Sequence, residues 1–205
     1  MSLESTKARM LDIAKRRGLT HLGSCCSCLP ILYGICEKAD PDDVVILSCG
    51  HAGLALYCCL EEFRDQDAEA LYERMGTHPE RDEAAGVFCS TGSLGCGLAV
   101  AVGYAMAGRR THVVISDGEA AEGIVWECLA YIGDHPELPI TVHVNANGWS
   151  AYREVDWLKL GNRLNSFAPK QIRLWATTNA PFPDSLDAHY KRTEQLCEEP
   201  LPMNS

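Results

Sequence analysis

SDGEAAEG (residues 116–123) and VNANGW (residues 144–149) decide how this chain is read. Each motif closes a short β-branched run, THVVIS (111–116) and ITVHV (140–144). The residues between them, including Trp126 and Glu127, have helical length, so the stretch predicts a βαβ unit. In parallel sheets, ligands sit outside the carboxyl ends of the strands. Asp117 and Asn147 stand at those two ends, one offering a carboxylate and the other an amide oxygen. Hard oxygen donors of this kind suit Mg²⁺ or Ca²⁺, with a phosphorylated ligand and water completing the coordination.

Outward from this unit, the strand-and-helix alternation continues and predicts an α/β fold. Residues 44–48 (VVILS) read as a buried strand running into Gly50-His51-Ala52-Gly53, another small-residue loop with a histidine at a strand end. Residues 171–177 (QIRLWAT) are a further strand candidate. Helices are expected over 3–17, from Ser27 onward with Pro30 in the first turn, and over 54–63, 155–164 and 186–197. His21 to Ser24 reads as a loop, and residues 61–85 as a polar, acidic stretch whose GTHPE (76–80) lies over the site. TGSLG (91–95) opens a helix of small residues through Ala107. Glycine costs an exposed helix up to about 1 kcal/mol, so its density here implies close approach of another backbone, within the fold or across an interface.

Composition narrows the classes. A chain of 205 residues with 46% apolar content suits one domain with a sizeable core. A net charge of −10 argues against nucleic acid or an anionic membrane as partner. No basic stretch followed by an apolar one opens the chain, and its longest apolar run, about 94–107, is too short and glycine-rich to span a bilayer; a cytoplasmic location is expected. The 11 cysteines, an odd number, then read as reduced thiols serving mainly as small core residues. Cys25-Cys26-Ser27-Cys28 holds one CxxC spacing without a second, which does not support a closed four-cysteine zinc site.

Taken in order, HLGS at His21, CGHAGLALY around His51, GTHPE around His78, STGSLGCGL from Ser90, SDGEAAEGIVWE from Ser116 and NANGW from Asn145 resemble the N-terminal thiamine-diphosphate-binding domain of the transketolase family. The resemblance covers nearly the whole chain. It implies a three-layer α/β/α fold with a mostly parallel sheet, a single diphosphate-binding domain over 1–205, and thiamine diphosphate with Mg²⁺ or Ca²⁺ as cofactors. By resemblance, Asp117 and Asn147 ligate the metal with the backbone carbonyl of Trp149. The Gly118 backbone meets the diphosphate, and Gly92 and Leu94 meet the cofactor rings. His51 and His189 reach the diphosphate and substrate, His21 and His78 the donor substrate. Glu122 matches a buried acid that communicates between active sites across the subunit interface.

This sequence departs from the family pattern at Ser116, Leu22 and Gly148, where a glycine, a proline and a basic residue are usual. The family's pyrimidine-binding and C-terminal domains are expected to be absent from it. The resemblance therefore implies the first subunit of a split transketolase. Such a subunit is active only with a second chain carrying those domains, and is expected to associate with itself at the core of a heterotetramer. The implied reaction moves a two-carbon ketol unit from a ketose, or its phosphate, to an aldose. Alternatives are a thiamine-diphosphate-dependent subunit that decarboxylates a 2-oxo acid and transfers its acyl group, a non-catalytic scaffold retaining the fold, and a metal or redox protein built on Cys25 and Cys28.

Overall fold

The computed structural model describes residues 2–150, 153–168, 170–182 and 191. Helix α1 (Leu3–Arg17) starts on a Ser2–Ser5 capping box and stops at Gly18, whose φ of 59° only glycine adopts cheaply. Then follow α2 (Leu22–Cys36), β1 (Val44–Leu47), α3 (Gly53–Arg64), α4 (Ala68–Met75), α5 (Cys96–Met106), β2 (Thr111–Ser116), α6 (Gly123–Asp134), β3 (Ile140–Ala146), α7 (Trp157–Asn165) and β4 (Ile172–Ala176). The four strands are all parallel and lie side by side in chain order.

Strand side chains alternate between two cores. Val45, Leu47 and Val114 pack with Met10, Leu29 and Leu56 from α1–α3. Ile46, Ile115 and Val144 pack with Leu98, Leu129 and Leu164 from α5–α7. Strands β1 to β3 are thus covered on both faces, which explains their β-branched runs and gives the three expected layers, while the edge strand β4 is exposed from Arg173 to Ala176. Among the described residues, no helix is long and apolar enough to cross a membrane.

Two elements differ from expectation. Helix α2 begins at Leu22, not Ser27, so His21 to Ser24 is not a loop and Pro30 lies inside the helix instead of in its first turn. Every α2 residue except Pro30, Tyr33, Gly34 and Cys36 is buried, and that burial outweighs a proline penalty of about 3 kcal/mol. The stretch read only as polar and acidic contains α4, capped by Asp67 and burying Ala68, Leu71 and Met75. That spacing is helical and was hidden by the surrounding acidic residues.

The small-residue helix finds its close neighbour within the fold. A Cβ on Gly97 would lie 2.7 Å from the Ser48 Cα, a backbone atom that cannot yield, whereas Gly103 has nothing within 4 Å. Gly97→Ala is therefore expected to destabilise by about 1–3 kcal/mol in urea unfolding, and Gly103→Ala not to destabilise.

A histidine pair crosses the sheet. Trp175 Nε1 donates to His143 Nδ1 at 3.1 Å, so His143 carries its proton on Nε2 and donates it to His112 Nδ1 at 3.3 Å. Burial, then His112, pushes His143 down from 6.5 to about 4. The unfolded chain takes up this proton near its ordinary pKa, while the folded chain resists until about 4. Stability is expected to fall by up to about 3 kcal/mol as pH drops through that window. His143→Gln should flatten that part of a urea-unfolding pH profile.

Candidate active site

The site is built from the carboxyl ends of β1, β2 and β3. Ser116 pairs with Asn145 across β2 and β3, so the next residues carry the chain out of the sheet side by side. The Asp117 N–H donates to the Asn145 carbonyl at 3.0 Å. Asp117 Oδ2 accepts the Gly148 N–H at 2.8 Å, and Asn147 Oδ1 accepts the Trp149 N–H at 2.9 Å. Gly148, at φ 83°, makes the turn that brings Trp149 back. Asp117, Asn147 and the Trp149 backbone therefore share one place. Gly118 beside them admits the facing loop, since its Cβ would lie 3.3 Å from the Ser150 Cα.

Asp117 is 3% exposed, and its Oδ1 is buried with no hydrogen-bond partner among the described residues. Burial pushes its carboxyl up to about 7, against the opposing pull of the Gly148 and Gly118 N–H groups. A buried carboxylate oxygen without a donor is costly unless a cation meets it. The donor set offered here is one carboxylate, one amide oxygen and nearby backbone carbonyls, which fits a hard divalent ion. No cluster of three or more His, Cys, Asp or Glu side chains that could hold a metal occurs among the described residues. Cys25, Cys26 and Cys28 are buried core residues, and burial pushes the Cys25 thiol well up and Cys26 to about 11, in the direction of an inert thiol.

Three of the four singled-out histidines gather at the end of β1. The rings of His21 and His51 lie 5.8 Å apart. His21 holds φ 64° at the start of α2, and its Nδ1 is 2.7 Å from Thr20 Oγ1. His78 reaches the same turn from the other side: a Cβ on Gly50 would overlap Thr91 Oγ1 and come within 3.2 Å of the His78 ring. Gly50 thus lets the 77–79 loop and Thr91 close over the turn that carries His51. His189 lies outside the described residues.

The 91–95 loop carries Gly92, at φ 128°, and half-buried Leu94. Glu122 sits beside this loop, its Cβ 3.3 Å from where one on Gly95 would be. In this single chain it is half-buried.

A residue that sequence reasoning passed over sits at the centre. Glu119 is fully buried. Its Oε1 accepts Ser48 Oγ–H at 2.6 Å and the Gly95 N–H at 2.7 Å, and its Oε2 accepts the Ser116 N–H at 2.9 Å. One carboxylate therefore ties the ends of β1 and β2 to the 91–95 loop. Burial raises its pKa, and these hydrogen bonds oppose the rise. The only signal in the sequence was an acid followed by Ala120-Ala121 just past a strand end.

Comparison with known proteins gives the family. Residues 37–138, about half of the chain, match the family model described as "Transketolase, thiamine diphosphate binding domain". The chain belongs to the transketolase family. Among curated members, the 6-deoxy-6-sulfo-D-fructose transketolase subunit of a Clostridium species is 36% identical, over 60% of this chain and 53% of its own. An apulose-4-phosphate transketolase subunit from Phocaeicola vulgatus is 32% identical, over 60% and 52%. The chain thus spans about half the length of these transketolase subunits. The transketolase from Leishmania mexicana shares its fold, with a TM-score of 0.61 at 18% identity over 88% of this chain and 38% of that one.

Proposed function

We propose that this chain is the diphosphate-binding subunit of a split transketolase, one domain over 1–205, transferring a two-carbon ketol unit between a ketose and an aldose or their phosphates. The observation that carries this reading is the buried Asp117 Oδ1, without a hydrogen-bond partner among the described residues, on a carboxylate that accepts the Gly148 N–H next to the Trp149 N–H held by the Asn147 amide oxygen. In this reading the two side chains and the Trp149 carbonyl hold Mg²⁺ or Ca²⁺ on thiamine diphosphate. The Gly118 backbone, His51 and His189 meet the diphosphate, and Gly92 and Leu94 meet the rings. Bound thiamine diphosphate supplies the nucleophilic carbon for cleaving a carbon–carbon bond next to a carbonyl. His21, His51, His78 and His189 bind substrate hydroxyls and move protons, as imidazole does near neutral pH. Glu119 holds the 91–95 loop in place, and Glu122 faces a partner subunit.

Relatives named as subunits support a partner. We assign it the pyrimidine-binding and C-terminal domains, in a cytoplasmic heterotetramer with two copies of this chain at its core. The test mixes this chain with the product of an adjacent reading frame and follows ketol transfer from a ketose donor together with thiamine diphosphate binding. Transfer that requires both chains and the cofactor supports the reading. A mixture that fails to bind thiamine diphosphate rejects it, and turnover of pyruvate with CO₂ release replaces it with 2-oxo acid decarboxylation and acyl transfer.

A further inference from the structure

The amide of Asn147 has two chemically different ends, and only its oxygen can serve a cation. Three polar side chains, all more than nine-tenths buried, settle which way it points: Ser27 at 0% exposure, Asn145 at 1% and Asn179 at 3%. Asn147 Nδ2 donates to Ser27 Oγ and to Asn179 Oδ1, each at 3.2 Å. Ser27 Oγ directs its own hydrogen to the Ser24 carbonyl at 3.1 Å and also accepts from Asn145 Nδ2 at 3.0 Å. Asn145 is anchored in turn, with Nδ2 3.1 Å from Cys28 Sγ and Oδ1 accepting from Thr177 Oγ1.

Turned over, the Asn147 amide would set its oxygen against the Asn179 oxygen and against a hydroxyl whose hydrogen is committed elsewhere. Its nitrogen would face the Trp149 N–H. Amide orientation follows from such a network, and the Trp149 N–H, a donor that cannot turn round, agrees with the Ser27 and Asn179 contacts in placing the oxygen on its side. Groups that fix a metal ligand from behind typically change metal affinity by 10–100-fold when removed.

We propose that Ser27, Asn145 and Asn179 are positioning residues that hold the Asn147 oxygen toward the cation, with Asn179 the deciding acceptor. The inference rests on the metal reading of Asp117 and Asn147 above. It also gives residues 25–28 a role that depends on the serine hydroxyl and not on the CxxC spacing. Three separate segments, α2, the end of β3 and the chain after β4, meet at one amide.

The test titrates the full chain, mixed with its partner subunit, with Mn²⁺ in saturating thiamine diphosphate and reads bound Mn²⁺ by electron paramagnetic resonance. Asn179→Ala is expected to weaken binding about 10–100-fold. Asn179→Asp, which keeps an accepting oxygen, is expected to retain wild-type affinity, and both variants are checked for an unchanged cooperative melt. Wild-type affinity in Asn179→Ala, or equal losses in both variants, overturns the inference while leaving the metal reading intact. Failure of the wild-type chain to bind Mn²⁺ even when mixed with its partner subunit defeats the metal reading and the inference with it. Independently of any variant, the Asn147 side-chain amide protons are expected to exchange slowly with solvent by NMR; rapid exchange overturns the proposal.

Discussion

Replacing Asp117 with asparagine is expected to separate binding from stability in opposite directions. The substitution removes the one charged oxygen donor from the proposed cation site, where ligand charge strongly tunes affinity, so Mn²⁺ binding in the presence of thiamine diphosphate should fall on the order of 100-fold or more. Without cofactor, the same change should stabilise the chain. The Asp117 carboxyl stands at about 7 in the fold against 3.8 ordinarily, chiefly through burial. A carboxyl raised in this way favours the folded state less and less as pH rises through that window. Above pH 7 the carboxylate costs up to about 4 kcal/mol, which the neutral amide avoids. The stability advantage of Asp117→Asn should therefore grow between pH 4 and 7 and level off beyond. Urea unfolding at pH 5 and pH 8, with Mn²⁺ titration at pH 8, checks both halves. A variant that binds Mn²⁺ like the wild type, or that unfolds more easily at pH 8, would sink this account.

The second large effect belongs to Glu119. Glu119→Ala strands the Ser48 hydroxyl and the Gly95 and Ser116 N–H groups in a place water does not reach. Each unpaired buried group costs about 1–3 kcal/mol. The sum is expected near 3–5 kcal/mol, a large share of a domain's stability. Glu119→Gln keeps one acceptor and similar volume, so it should lose less than half as much. Urea unfolding of the two variants measures this. Because the carboxylate ties Gly95 to the strand ends, Glu119→Gln should also loosen the 91–95 loop, seen as faster hydrogen exchange of the Gly95 N–H. Equal stability of Glu119→Ala and wild type would remove Glu119 from the centre of the site.

The strands were legible in the sequence almost to the residue. Residues 44–48, 111–116, 140–144 and 171–177 were expected, and β1 to β4 differ from them by two residues at most at either end. Strands β1 to β3, buried on both faces, are unbroken apolar runs rich in β-branched residues, and the chain's turn residues mark where they stop. The strand-end positions of Asp117 and Asn147 followed from the same logic. Helix α4 was missed because acidic neighbours masked a short apolar stripe, and the start of α2 because a positive-φ His21, not a capping side chain, begins it.

The amino-acid sequence by itself determined the parallel α/β architecture, the membership of the transketolase family and the pairing of an acid with an amide at neighbouring strand ends. Those features are encoded locally, in runs and turns a few residues long. Tertiary structure alone decided that Asp117 keeps a buried oxygen without a donor among the described residues and that Glu119 binds Ser48, 71 residues away. It also decided that Asn147 is oriented by Ser27, 120 residues away, and by Asn179, 32 residues away. Burial and hydrogen-bond partnership are properties of the packed chain, and no reading of neighbours along the sequence contains them.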